Sequence, residues 1–465
     1  MRRVRSILAL AVGAATALTL AACSSSSGSS SSSPSSTDSA ASGASGSASG
    51  NGTSGTSTAS SGSSSGKASS SGEPVTLTMW TFLDPTASDP RSQVLASIIK
   101  SFEADNPGVT IQVVSKPYQT LTSAFLSAAT AGNAPDITWT VLDDLSTVVG
   151  QNSLVDLSSS GAFPASDTSD FSVWDQLKVN GKGPYGVVMS LNYFGLLYRT
   201  DLLKKAGLTA NDLSTWDGFA SAVKKLTDSA TGVTGFGQAY AGPQGDPQIM
   251  VPMTLDSQDS MFTSDGKANW DTQAAVAALK YETDLVSSGA TSKSAAQWQP
   301  NDLYDQFAAG RIAIINGAST RVSTMQGQIG ADKVGYAPYP STTGTAGRMF
   351  SGWSVGVWQG SKNKEAAEKF VAYMASKDSD KLWADKAGQI PGRKSTLESD
   401  TSLPDYIKTA AEGVAKNGWR PPLDVSTAGW IDDVNEAAQN VVLNGQAPEA
   451  ALKASVEKFN AAQSK

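Results

Sequence analysis

The sequence predicts an α/β protein of two domains, and three observations carry that prediction. Strand-like and helix-like patterns alternate from Val75 onward, which calls for a mostly parallel sheet covered by helices. About 390 of the 465 residues follow a Ser-rich opening segment, more than one hydrophobic core usually organises. Glycine-containing runs at 186–195 and 344–356 suit crossings between domains, where hinge positions absorb backbone rotation.

Val75, Leu77 and Met79 alternate with Thr76, Thr78 and Trp80, the period of a half-buried strand. Ser88-Asp89-Pro90 then offers a cap and a first-turn proline, followed by Val94, Leu95, Ile98, Ile99 and Phe102 at helical spacing. Asn106-Pro107-Gly108 stops that helix. Val109, Ile111 and Val113 alternate again, Tyr118, Leu121, Phe125 and Leu126 form a second apolar stripe, and Ala134-Pro135-Asp136-Ile137 opens a third strand. Further on, a strand-like run covers Tyr185 to Tyr198, a helix from Asp201 closes at Gly207, and Thr215-Trp216-Asp217 caps another. Helical stripes recur at Ala275–Val286, Leu303–Phe307, Ala366–Met374 and Val434–Val441, with an apolar strand at Ile312–Ile315. Residues 242–247, rich in Gly and Pro, read as an irregular loop.

The amino-terminal end has a different texture. Arg2, Arg3 and Arg5 precede a mostly apolar run from Ile7 to Leu20, the layout of a secretory signal peptide and too short to span a bilayer comfortably. Leu20-Ala21-Ala22-Cys23 holds the only cysteine of the chain and resembles the lipobox of bacterial lipoproteins, whose cysteine is lipidated; an ordinary cleaved signal peptide is the alternative. Residues 24–72 are almost wholly Ser, Gly, Ala and Thr and have nothing to bury. Such a coil spans ~40 Å root-mean-square, the dimension of a tether.

Composition removes whole classes of chemistry. There is no histidine and no second cysteine, so neither a Ser-His-Asp arrangement, nor a zinc site of the usual kind, nor an intramolecular disulfide can be built. No phosphate cradle or dinucleotide fingerprint occurs. Loss of the three signal-peptide arginines takes the net charge from −7 to −10, which offers no electrostatic footprint for nucleic acid. A carboxylate pair remains conceivable, and Asp143-Asp144 is its most tempting member. Chain neighbours point apart, however, and a glycosidase needs roughly 5–9.5 Å between carboxylates across a bound sugar.

Several stretches, in this order, carry a resemblance: Phe102-Glu103-Ala104-Asp105-Asn106-Pro107-Gly108-Val109; Ala131-Gly132-Asn133-Ala134-Pro135-Asp136-Ile137; Gly195-Leu196-Leu197-Tyr198; Phe307-Ala308-Ala309-Gly310-Arg311; and Gly388-Gln389-Ile390-Pro391-Gly392-Arg393. From Val75 to the end the chain resembles family 1 extracellular solute-binding proteins, the maltose-binding-protein-like lipoproteins that feed ABC importers. In an N-G-x-W stretch that many relatives keep, the tryptophan is replaced or shifted here around Ser319, Thr320 and Arg321. The resemblance implies a two-lobed periplasmic-binding-protein-like fold: a signal peptide at 1–22, a tether at 23–72, one lobe from 73–190 plus about 355–400, and another from 191–354 plus about 401–465. It implies a sugar held in the cleft between lobes, permease subunits as partners, a monomer anchored by lipid at Cys23 on the outer face of the membrane, and no metal or cofactor.

In open α/β sheets ligands bind beyond the carboxyl ends of strands. That rule selects Trp80 and Asp84 after the first strand, Tyr118 before the second helix, and Trp139 and Asp143 after the third strand. Either tryptophan also reads as a cover for the sheet edge. Asn192 and Tyr193 lie in the first crossing, Gly352 and Trp353 in the second; Gln244 and Asp246 come from the irregular loop, Trp298 and Asp302 precede a helix, and Asn316 follows a strand. The resemblance adds Arg393 and Trp430. Trp174, Trp216 and Trp383 read as packing. A sensor or adhesin without a transport role is an alternative that the same residues allow.

Overall fold

The computed structural model describes residues 74–241, 246–257, 259–344, 347–424, 426–427 and 429–463; the Cys23 motif, the tether and Gln244 lie outside them. β1 (Val75–Thr81) pairs in parallel with β2 (Val109–Ser115) along its whole length, and with β3 (Ile137–Val141) at Met79 and Trp80. The β1-to-β2 connection is the helix Pro90–Asp105. Asp89 caps it by accepting from the amides of Arg91 and Ser92, and Pro90 supplies the first turn. Its face of Val94, Leu95, Ile98, Ile99 and Phe102 is buried, each side chain contributing about 2 kcal/mol by leaving water. The helix ends where Asn106 donates back to the Phe102 carbonyl at 2.8 Å, and Gly108, at φ +101°, turns the chain into β2.

The remaining strands are β4 (Val187–Arg199), β5 (Thr234–Gly237), β6 (Ile312–Ala318), β7 (Val334–Pro338), β8 (Arg348–Val357) and β9 (Gly418–Trp419). The sheet order is β2-β1-β3-β8-β4-β6-β5, with β7 also on β4 and β9 on β8. Parallel pairs join β1 to β2 and β3, β5 to β6, and β8 to β9. The long strands add antiparallel pairs, β3 with β8 and β4 with β8, β6 and β7, because β4 and β8 run through the sheet in opposite directions. The sheet is therefore mixed, and two-lobed.

β4 makes the first crossing between lobes and β8 the second. The early part of β4, Val187 to Tyr193, pairs with β8, and its later part, from Phe194, with β6 and β7. One lobe packs around Met79, Ile98, Phe102, Trp139 and Phe370, the other around Phe219, Phe236, Trp270, Ile314 and Trp430. The pairing of β4 with β8 shifts register between Val188 and Ser190, a bulge. Gly352 faces that bulge at φ +152°, and a Cβ there would lie 2.0 Å from the Ser190 carbonyl oxygen, so only glycine fits. Behind the crossing strands, the helix Asp405–Asn417 buries Ala410, Ala411 and Val414 against Tyr193 and Phe350. The helices Trp430–Asn444 and Pro448–Gln463 then close the second lobe. Among the described residues no helix is long and apolar enough to cross a membrane.

Candidate ligand-binding cleft

Side chains alternate across a strand, and this decides what the crossing strands present. Asn192 and Phe194 of β4 and Met349, Ser351 and Trp353 of β8 share one face, Asn192 directly opposite Ser351. That face is the floor of a cavity of about 200 Å³. The first lobe adds Phe82 and Arg91 beyond the end of β1, Tyr118 at the start of the helix Tyr118–Thr130, and Asp143 and Asp144 from the turn after β3. The second lobe adds Asp246, Thr320, Arg321, Trp430 and Asp432, the last two from the first turn of a helix.

The aromatic lining is backed by further rings. Phe82 sits 4.5 Å from Trp353 and 5.6 Å, edge to face, from Trp139; across the cavity Trp430 leans on Phe262, Trp270 and Trp419 at 5.6–6.2 Å. Such support fixes ring orientation. The indole N–H of Trp430 is buried without a hydrogen-bond partner among the described residues.

The polar lining is strained electrostatically. Burial raises the pKa of Asp143, opposed by the Arg420 charge and by the Ser351 hydroxyl, which donates to one carboxylate oxygen at 2.8 Å; the other oxygen has no partner among the described residues. Burial also lifts Asp144, to about 6, and the Asp143 and Asp432 carboxylates push the same way. Asp246 is raised by burial too, and opposed by Arg321 and by the Tyr304 hydroxyl, which donates to it at 3.1 Å. Burial lowers Arg91, and Arg321 adds to the effect. Asn192 accepts from Thr320 at 2.8 Å, a link from the floor to the second lobe. Carboxylates and guanidinium groups beside aromatic faces can bind a polyhydroxylated ring from its edges and its apolar face at once.

Of the residues selected from the sequence, the structure brings Tyr118, Asp143, Asn192, Asp246, Trp353 and Trp430 together around this cavity. The others stand elsewhere. Trp80 is half-buried under the Lys116 ammonium at 3.9 Å, and Asp84 is exposed and holds Thr86. Trp139 is fully buried behind Phe82, against Trp383. Tyr193 follows the strand period onto the opposite face, where its hydroxyl donates to Asn417 at 2.7 Å. Trp298 packs on the second lobe's apolar clusters, and Asp302 caps its own helix through the Gln299 amide. Asn316 is buried and donates to the Pro247 carbonyl at 2.9 Å. Gly352 serves the bulge. Arg393 is buried in the first lobe, where both terminal nitrogens meet Asp167 at 2.7 Å, one meets Asp170 at 3.1 Å, and Phe171 lies 4.2 Å beneath the guanidinium.

Sequence reasoning passed over Phe82, Arg91, Ser351, Arg321 and Asp432 as lining residues. The signal for Ser351 was available, since it lies two residues before Trp353 on one strand. Arg91 and Asp432 sit in first helical turns beyond strand ends, the place where open-sheet sites form.

Against known proteins, residues 97–411 match the family described as bacterial extracellular solute-binding protein. The chain is 26% identical over 359 residues to the maltodextrin-binding protein MdxE of Bacillus subtilis (strain 168), covering 73% of this chain and 81% of that one. Among solved structures it resembles the GacH receptor of Streptomyces glaucescens, studied unliganded and with acarbose (TM-score 0.74, 22% identity, 84% of this chain and 99% of that one). It also resembles maltose-bound MalE3 of T. maritima (TM-score 0.72, 23% identity, 83% and 100%). With the family matched over most of the folded part, and the two-lobed fold shared with such proteins, this chain belongs to the bacterial extracellular solute-binding proteins.

Proposed function

We propose that this protein captures a carbohydrate, a mono- or oligosaccharide, in the cleft between its lobes and delivers it to the permease of an ABC transporter. The observation that carries the reading is the composition of one cavity, whose lining combines the aromatic side chains Phe82, Trp353 and Trp430 with the carboxylates of Asp143, Asp144 and Asp432. Sugar rings offer apolar faces to aromatic planes and hydroxyl edges to carboxylates, and closure of two lobes buries both. The sugars held by MalE3 and GacH, and the maltodextrin named for MdxE, support the same class of ligand.

The family and fold are those of non-enzymatic binding proteins, and capture without turnover is the role proposed here. Asp143 and Asp144 are chain neighbours in one turn, whereas glycoside hydrolysis uses two carboxylates on either side of a bound sugar, roughly 5–9.5 Å apart. The lipobox-like Cys23 and the Ser-rich tether fit a binder held on the outer face of the cell membrane, kept within reach of its permease by lipid and ~40 Å of coil.

Calorimetry of the tether-free protein against a panel of mono- and oligosaccharides tests the reading. The expected result is saturable binding by at least one sugar, with a matching rise in melting temperature and no product. No heat and no melting shift across the panel at millimolar concentration would remove the carbohydrate assignment. A Cys23→Ser variant should bind normally and be shed into the medium; retention in the membrane fraction would remove the anchor.

A further inference from the structure

Two arginines face the same cavity from opposite lobes. Arg91 stands in the first turn of the helix Pro90–Asp105, with its guanidinium 5.4 Å from the Phe82 ring; Arg321 begins the helix Arg321–Ile329, with its guanidinium 5.0 Å from the Tyr304 ring. Among the described residues neither makes an ion pair, in contrast to Arg199 and Arg393. Asp246, whose burial is opposed by the Arg321 charge, takes a hydrogen bond from Tyr304 and makes no ion pair with either cation among the described residues. Asp89, the acid nearest to Arg91 in the chain, caps the helix through one oxygen, and its charge offsets part of the lowering of Arg91.

Two like charges facing one space, with Arg91 lowered by burial and by the charge of Arg321, are relieved by an anion between them. Both also stand at helix starts, where backbone partial charge favours an anion further. Among the cavity's acids, Asp144 is pushed up by Asp143 and Asp432, whereas Asp143 and Asp246 are offset by Arg420 and Arg321; Arg91 is pushed down by Arg321.

We infer that Arg91 and Arg321 form an anion subsite, and that the physiological ligand is an acidic carbohydrate whose carboxylate, or another tetrahedral or planar anionic group, bridges the two lobes there. This inference rests on the carbohydrate reading of the same cleft and narrows it. A planar carboxylate suits the forked geometry of a guanidinium, and the bond to a charged acceptor is stronger than one to a hydroxyl. A bridged anion cancels the repulsion between the arginines only when the lobes hold it together, so it favours the closed state.

The test compares uronic acids and uronate oligosaccharides with their neutral sugar counterparts, and sugar phosphates and sulfates with both, by calorimetry on the tether-free protein. The expected result is a preference of roughly 10- to 100-fold for one anionic series over its neutral parent, which weakens with salt while neutral binding does not. Which series wins identifies carboxylate, phosphate or sulfate as the group. Arg91→Met and Arg321→Met should each bring the anionic sugar close to its neutral counterpart, and Arg321→Lys should recover part of the preference. Circular dichroism and melting confirm that the variants fold. Neutral sugars bound as tightly as anionic ones, or variants that weaken both series equally, would overturn the anion subsite and leave the sugar-binding reading intact. Failure of every sugar, acidic or neutral, would overturn both.

Discussion

Asp143 and Arg420 are buried opposite charges that act on each other without forming an ion pair. Among the described residues, one oxygen of Asp143 takes the Ser351 hydroxyl at 2.8 Å and the other is unpartnered, while Arg420 donates to the Leu142 carbonyl at 2.8 Å and leaves Nε and Nη1 unpartnered. Burial pushes Asp143 up and Arg420 down, the latter to about 10, and each opposes the other's shift. Arg420 therefore helps keep a cleft carboxylate ionised, ready to accept a ligand hydroxyl.

Replacing Arg420 by Met removes that opposition, so the pKa of Asp143 should rise further. Ligand binding that needs the carboxylate should then fail at a higher pH than in the parent protein, while affinity well above that range changes less. Calorimetric titration across about pH 4.5 to 8 checks the direction; an unmoved acid limb would show that Asp143 does not depend on Arg420.

Asp144 offers a stability experiment with a defined sign. Its folded pKa is raised from 3.8 to about 6, first by burial and then by Asp143 and Asp432. The penalty is absent below the unfolded value, grows between about pH 4 and pH 6, and is complete above. Asp144→Asn should therefore raise the melting temperature at pH 7.5 by roughly 2–5 °C and make little difference near pH 4. Equal effects at both pH values would contradict the burial of this charge.

The alternation of β4 predicts opposite outcomes at neighbouring positions. Asn192→Ala removes a floor residue and its link to Thr320 and should weaken ligand binding by about tenfold. Tyr193→Phe, on the reverse face, loses only the hydrogen bond to Asn417; it should leave affinity within about twofold and lower stability by ~1 kcal/mol. Reversed effects would mean that Tyr193 faces the ligand.

Arg393 should behave as a structural residue. Its removal leaves Asp167 and Asp170 without their guanidinium and the buried Ala375 carbonyl without its donor, a loss of about 1.5–3 kcal/mol, since Asp167 is partly solvated. Arg393→Ala should melt markedly lower, yet the folded fraction should bind ligand with parental affinity. Lost affinity in a fully folded sample would return this residue to the site.

Much of the first lobe was legible because its signals are local. The alternation at Val75–Met79, the Asp89-Pro90 start and the Asn106-Pro107-Gly108 stop each act within a few residues, and the helix and strands stand where those residues place them. The antiparallel pairing of β3 with β8 joins positions more than 200 residues apart and leaves no such trace. The cleft divides in the same way. Trp353 and Asp143 lie at positions a strand reading selects, whereas Arg91 and Arg321 become neighbours only when two lobes bring two helix starts together. Arg393 shows the converse: a motif fixed its importance but not whether it meets ligand or Asp167.

The two crossing strands that bear Asn192 and Ser351 are also the material that must twist when the proposed closure occurs. The bulge beside Ser190 and the glycine at 352 facing it make a flexure, soft at one point and stiff on either side. Behind these strands, a side chain at Gly413 would press on the Tyr193 ring, 2.3 Å from its nearest atom. A wedge there, such as Gly413→Ala, would retune how tightly the protein grips its solute without altering any group that touches it, seen as changed affinity with an unchanged preference among sugars.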